Sequence, residues 1–335
     1  MSDTRGDIPS VVERTRPVTV DAPVVDVRFL GDTAAFVLGE EALVLLARNG
    51  EERRVAVHAG VVLSAAADDE RIVTGGDDGK VVATDASGAT TAIAADAKRR
   101  WIDQVAVGPN GALAWSAGKT AFVRSPKGGE QSLDVPSTVG ALAFLPKGFR
   151  LAIAHYGGAT LWFPSAQAEP ERLEWKGSHL AATVSRDGRF LITAMQEPTL
   201  HGWRLIDRKD MRMQGYTTRV RSLAWSADGK WLATSGSTQL ILWPFQAKDG
   251  PMGKTPQLLA PMDVPVDTVG CHPTQGVVAV GYANGLVLLV RIDDGAEILA
   301  RKPGEAPVTA VAWSADGKLL AFGTEDAKAG VIDLG

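Results

Sequence analysis

The phrase AWSADGKWLATSG, beginning at Ala224, returns as AWSADGKLLAFGT at Ala312, 88 residues further on. A chain that repeats a phrase of this length must be tested first as an array of copies, because an overlooked repeat misassigns the whole fold. The phrase has a physical reading. Ser-Ala-Asp-Gly is a tight-turn sequence, in which Ser and Asp side chains bond nearby backbone and Gly accepts unusual dihedrals. Val220, Leu223 and Trp225 give an apolar stretch before it, and KWLATSG gives a short apolar run after it. A second turn leads into QLILWPF, which closes on Trp243. The pattern is strand, turn, strand, turn, strand.

The same phrase recurs along the chain. Clear copies are ATVSRDGRFLITAMQEPTLHGWRL (182–205), VGCHPTQGVVAVGYANGLVLLVRI (269–292) and LAFLPKGFRLAIAHYGGATLWFP (142–164). Fainter ones occupy 27–47, 63–85 and 105–125. Residues equivalent to Trp225 fall at 29, 65, 107, 144, 184, 225, 271 and 313, a mean spacing of about 41. One more short strand candidate separates successive units, such as RRVAVH, EQSLDV and AEILAR, and PVTVDA (17–22) precedes the first. Each unit is therefore four strands, and no segment has helical periodicity.

A four-stranded sheet of this size has two apolar faces, which stacking around an axis buries against its neighbours. The fold expected is all-β: a closed propeller of four-stranded antiparallel blades, eight by the unit count, with seven as the alternative. The last unit ends after its third strand, AGVIDL (329–334), so the strand at 17–22 is expected to complete it and close the ring. Residues 1–16 read as a flexible polar segment and 17–335 as one domain.

A repeat of this architecture resembles the WD40 β-propeller family. The resemblance rests on the Ser-x-Asp-Gly turns at 185–188, 226–229 and 314–317, and on the strand-ending Trp162, Trp203 and Trp243. GGDDGKVVATD (75–85) is similar to the family's second-turn pattern. The copy is degenerate. No Asp follows those tryptophans, Asp85 and Asp333 lack the Trp, and the Gly-His pair survives only as Gly177-Ser178-His179. The family's buried His–Asp–Ser–Trp network is accordingly expected to be incomplete in most blades. The resemblance implies a non-catalytic platform that binds partner proteins.

Composition narrows the function classes. Of 335 residues 45% are hydrophobic and 22% charged, with a net charge of −4, which lacks the basic footprint of a nucleic-acid binder or membrane-surface protein. The N-terminal stretch has no apolar core of a signal peptide, and a single cysteine, Cys271, forbids an internal disulfide. These features fit a cytoplasmic protein. SAGKT (116–120) ends like a phosphate-binding loop, but Leu113 stands where the pattern needs Gly, and the stretch lies between strands. His58, His155, His179, His201 and His272 are scattered singly, without metal-ligand spacing. Cys271-His272 falls on repeat positions, with His272 in the place of Ser226, and reads as structural. No catalytic residues, metal or cofactor are assigned.

Two sites remain as candidates. In an up-and-down blade the second-to-third strand turns and the blade-to-blade links share one face. Tyr156 and Tyr282 fall in such turns and Tyr216 in such a link, with His155, Trp101 and Arg219 nearby. Tyr, Trp and Arg dominate protein interfaces, so these six are the expected partner-binding residues. The alternative is a channel-centred small-ligand sensor or enzyme. Repeat alignment puts Asp103, Arg221 and Asp267 at one channel-mouth position, which Val25, Val61, Gly140, Leu180 and Thr309 fill in other units. The stretch 244–257 lengthens the sixth unit and is expected to be a mobile loop on the opposite face.

Overall fold

In the computed structural model, which describes residues 8–335, the first unit folds as a meander. Val24–Leu30, Thr33–Leu38, Ala42–Leu46 and Glu52–Ala56 pair antiparallel in that order, from the central axis outwards. The second and third strands are buried almost throughout, because sheets lie against both of their faces. Outermost strands such as Glu130–Asp134 face solvent and carry the polar residues. The hydrophobic clusters bridge neighbouring units: Val24, Val27 and Phe36 pack with Ala310, Ala321 and Val331 across the ring junction. Phe190 and Ile192 likewise pack with Trp225 and Trp243. No helix among the described residues is long and apolar enough to cross a membrane.

The N-terminus closes the ring. Val308–Trp313, Leu319–Thr324 and Ala329–Asp333 are completed by Thr15–Val18, which pairs from Thr15 opposite Ile332 to Val18 opposite Ala329. The closing strand thus starts two residues before the expected boundary and ends at Val18. Pro17 is tolerated there because an edge strand can lack an N–H on its open side. The chain upstream makes a second attachment: Val11 N–H donates to the Leu299 carbonyl (2.9 Å) and Leu299 N–H to that of Pro9 (2.8 Å). The terminus therefore ties down the outer edge of the seventh unit before it completes the eighth.

The strands form seven sheets, six of four strands and one of six, which is the alternative count of seven where eight separate blades were the first expectation. The reason lies between the fourth and fifth units. Their link does not leave the sheet but runs through Glu171–Val184, a 14-residue strand. Its first part pairs with Leu151–Trp162 and its second with Phe190–Met195. Leu151–Trp162 in turn holds the second and third strands of its unit and bends at Gly157 (φ +91°) and Gly158 (φ +136°). A Cβ on Gly158 would lie 2.0 Å from the Leu173 carbonyl oxygen, so the bend requires glycine. Both sequence units are present, joined in one sheet.

The turn chemistry explains the repeat. Ser226 Oγ donates to Asp228 Oδ1 (2.7 Å) and accepts from Trp231 N–H (3.0 Å), while Lys230 N–H donates to the same carboxylate oxygen (3.0 Å). Ser185 and Ser314 repeat the arrangement. In the seventh unit His272 replaces the serine: its Nδ1 accepts from Thr274 N–H (3.1 Å) and Gln275 N–H (3.0 Å), and Nε2 donates to the Gly317 carbonyl (3.2 Å).

The insertion at 244–257 is not a loose loop. Phe245 is buried and packs edge-on against Phe190 and Trp225, with centroids 5.2 and 4.8 Å apart. Arg189 donates to the carbonyls of Ala247 and Phe245, both at 3.2 Å, and Arg204 pairs with Asp249.

Candidate protein-interaction face

The link from the second to the third unit is held by one carboxylate. Asp96 accepts from Lys98 N–H (2.9 Å), Arg100 N–H (3.0 Å) and Arg100 Nη2 (2.7 Å), and Arg100 Nη1 reaches on to the Ala117 carbonyl (3.2 Å). This clamp buries Ile102 and leaves its neighbour Trp101 projecting, 61% exposed. Tyr156 projects similarly from its bend, 56% exposed, with its backbone N–H donating to Ser137 Oγ (2.9 Å). Arg219 is exposed and reaches Gln196 Oε1 at 3.4 Å. Trp101, Tyr156 and Arg219 therefore stand at the surface, as a binding role requires.

The other three expected contacts turn inward. His155 is buried, with Nδ1–H donating to the Tyr156 carbonyl (2.9 Å) and Nε2 meeting Thr160 Oγ1 (2.9 Å); burial pushes its pKa down. Tyr282 is fully buried and its hydroxyl donates to the Ala260 carbonyl (2.6 Å). Tyr216 is buried too: Trp243 Nε1–H donates to its hydroxyl (2.7 Å), which donates to Thr234 Oγ1 (3.0 Å), which donates to the Ile241 carbonyl (3.2 Å). The physical reason is common to both tyrosines. Each ring fills space between neighbouring units, and each hydroxyl finds a partner there, which a buried Tyr needs.

The Tyr216 relay is similar to the buried network that the resemblance implied, with tyrosine in the place of histidine. In the second unit His58 Nδ1–H donates to Asp78 (3.0 Å) and Nε2 meets Thr74 Oγ1 (2.9 Å). Thr84 stands where the tryptophan would, and its hydroxyl has no hydrogen-bond partner among the described residues. In the fifth unit His179 Nδ1 meets Thr193 Oγ1 (2.7 Å) beside Trp203. Second-strand threonines at 74, 193 and 234 were the sequence signal for these relays.

Arg221 and Asp267 line a central cavity of about 1060 Å³, which Asp103 does not reach. Burial holds the Asp267 carboxyl above the usual range against the pull of Arg221, and Glu325 adds to the rise. Burial likewise raises Asp103, which accepts one long bond from Gly118 N–H (3.4 Å). Cys271 is half-buried in the wall of the central cavity, and burial pushes its thiol up to about 12, which disfavours the thiolate at neutral pH. Among the described residues no three His, Cys, Asp or Glu side chains are arranged to hold a metal.

Of the residues that fill the repeat position of Arg221 in other units, Val25 also lines the cavity; Val25, Val61 and Leu180 are 48%, 41% and 38% exposed, and sequence reasoning gave them no role. Their signal was the alignment itself, which set large aliphatic residues at a position bordering solvent. Beside Tyr156 a smaller cavity of about 400 Å³ is lined by Arg172, Glu174, Trp175 and Lys176.

Comparison with known families agrees with this geometry. The family model described as "WD domain, G-beta repeat" matches residues 209–244, from the outermost strand of the fifth unit through the third strand of the sixth. The model described as "Anaphase-promoting complex subunit 4 WD40 domain" matches 269–335. No curated protein matches the chain significantly. Among solved structures, the crystal structure of the computationally designed Ika8 protein is similar with a TM-score of 0.76 at 16% identity, over 94% of this chain and 97% of that one. At that identity the likeness describes the fold alone.

Proposed function

We propose that this chain, a WD40-repeat β-propeller, is a non-catalytic platform that holds partner proteins on the face carrying Trp101 and Tyr156. The observation that carries the reading is exposure. Two large aromatics project 61% and 56% into solvent, one from a link and one from a strand bend, each held by hydrogen bonds, and Val25 is exposed at the central cavity. Pre-positioned aromatics lose little conformational entropy on binding, and large rings with rigid support are the usual anchors of interfaces. Arg219 and Arg221 add polar contacts on the same face. Propellers of this family commonly mediate protein interactions, which supports the same reading.

The test is capture of partners from native lysate, read by mass spectrometry, with wild type, Trp101→Ala/Tyr156→Ala and Lys318→Ala on the opposite face. The double variant is expected to keep its melting temperature and lose the captured protein, while Lys318→Ala keeps it. Retention by the double variant overturns the assignment. A bait that returns no protein but carries a bound metabolite points to the central cavity lined by Arg221 and Asp267.

A further inference from the structure

The third-to-fourth strand turns lie on the opposite face, and most of them are polar. They read RNGE (48–51), ASGA (86–89), PKGG (126–129) and DDGA (293–296). Three consecutive units depart from this. The fourth exposes Phe163 (43%), the fifth Ile206 (87%) and the sixth Met252 (42%).

The fold does not demand them. The turns of the fifth and seventh units share one template: Arg204 pairs with Asp207 as Arg291 pairs with Asp294, both at 2.5 Å. Arg208 (φ +60°) stands where Gly295 (φ +71°) does. On that template Ile206 occupies the place of Asp293, so the same backbone is made with a charged residue there. Isoleucine at this exposure contributes nothing to the core.

The three turns are also joined. Glu171, just beyond the fourth unit's turn, pairs with Arg208 of the fifth (3.3 Å), and Arg204 of the fifth pairs with Asp249 of the sixth. The insertion at 244–257 is docked against the fifth unit by Phe245 and Arg189. Phe163, Ile206 and Met252 thus sit on one continuous, ion-paired rim. Around them Lys209, Lys248 and Lys254 are exposed and enter no ion pair among the described residues, and neither do the acids Glu169 and Asp210, so unpaired lysines outnumber unpaired acids on this rim.

From this we infer that the rim formed by the fourth to sixth units is a second docking surface, for an amphipathic segment of another protein that sets acidic side chains beside large apolar ones. Charge selects this occupant. Two copies of the rim would bring their unpaired lysines together, so a symmetric contact with a second copy is disfavoured. An acidic segment places its carboxylates over those lysines while its apolar side covers Phe163, Ile206 and Met252. Lone exposed apolar residues are ordinary, but three on neighbouring turns with a common charged margin form a patch.

The experiment uses the full chain and a fluorescent 18-residue helical peptide with leucines at i, i+3, i+4 and i+7 spacing and glutamates between. A counterpart carries lysine for glutamate, and vesicles of phosphatidylcholine with phosphatidylserine serve as a membrane probe. Anisotropy titration is expected to saturate with the acidic peptide and not with its lysine counterpart. Ile206→Asp, and separately Lys248→Glu/Lys254→Glu, should weaken binding about tenfold or more, as loss of an interface anchor does. Ile206 is solvent-exposed, so an unchanged melting temperature separates a lost contact from a lost fold. Equal binding of the two peptides, no saturation with the acidic one, or indifference to both variants overturns the inference. So does sedimentation with the anionic vesicles in place of peptide binding.

Discussion

Replacing Tyr216 by Phe keeps the ring and deletes the middle of the relay from Trp243 to the Ile241 carbonyl. Trp243 is buried, so its indole N–H, which donates to Tyr216 at 2.7 Å, is left without a partner. An orphaned buried donor costs about 1–3 kcal/mol. Thr234 still donates to the Ile241 carbonyl and loses only an accepted bond, so its share is small. Tyr216→Phe is therefore expected to destabilise by about 2 kcal/mol, and Tyr216→Ala, which also opens a cavity, by about 3–5 kcal/mol. Trp243→Phe removes the donor along with part of the ring. Combined with Tyr216→Phe it should cost less than the two single changes together, by roughly 1–2 kcal/mol, because no orphan remains. Urea denaturation of the four proteins, each with a single transition, reads the cycle directly. A Tyr216→Phe protein within about 0.5 kcal/mol of wild type, or an additive cycle, would refute the relay and restore Tyr216 to the surface.

Three further outcomes are expected. His201 is fully buried, neither ring nitrogen has a hydrogen-bond partner among the described residues, and burial pushes its pKa down to about 3. The unfolded chain therefore takes up a proton below the ordinary value of 6.5 while the folded chain does not; stability is intact above that pH and falls towards pH 3, by at most about 2.7 kcal/mol at pH 4.5. His201→Phe, which can keep the stack on Trp175, should flatten the acid limb of a stability–pH curve, and an unchanged limb would count against it. Deleting residues 1–18 removes the closing strand and should lower the melting temperature much more than deleting 1–11, which gives up the two backbone bonds to Leu299; equal loss would defeat closure by Thr15–Val18. Trp225, buried and bonded to Thr183 Oγ1 (2.9 Å), should cost about 3–5 kcal/mol on truncation to Ala, and Trp313, half-buried at the equivalent position, should cost less.

The repeat was legible because its turn is self-contained. Ser226, Asp228 and Gly229 satisfy one another locally, so the phrase survives in sequence wherever the turn survives in space. Closure was legible for a related reason: a three-stranded last unit leaves an unpaired edge, and an edge must be covered. The merging of the fourth and fifth units was not visible, because it depends on whether the link Trp175–Ser178 stays extended between two sheets, which no local residue pattern decides. Nor did composition reveal that the insertion is docked. Its Gly, Pro and Lys read as a loose loop, and only the packing of Phe245 against Phe190 holds it. The tyrosines show the limit most clearly. A turn or link fixes where a residue stands on the ring, yet its side chain can point outward, as that of Tyr156 does, or between units, as those of Tyr216 and Tyr282 do.

That limit suggests where function can be sought in such a chain. A closed array forces each repeat position to solve the same packing problem several times over, so a residue that departs from its equivalents is either compensated inside or presented outside. His272 departs from Ser226 and is compensated, since its Nδ1 accepts the turn's N–H groups in place of the hydroxyl. Tyr216 stands in a link position that His58 fills in the second unit, and it is compensated through Thr234 and Trp243. Ile206 departs from Asp293 with nothing inside to account for it, and Val25, Val61 and Leu180 likewise leave apolar surface exposed at the repeat position that Asp103 and Asp267 fill. Uncompensated departures are the ones that solvent should have opposed, because each leaves apolar surface in water at about 25 cal/mol per Å². Phe163, Ile206 and Met252 fall on the turns of three consecutive units, which is what singles that rim out for the binding experiment.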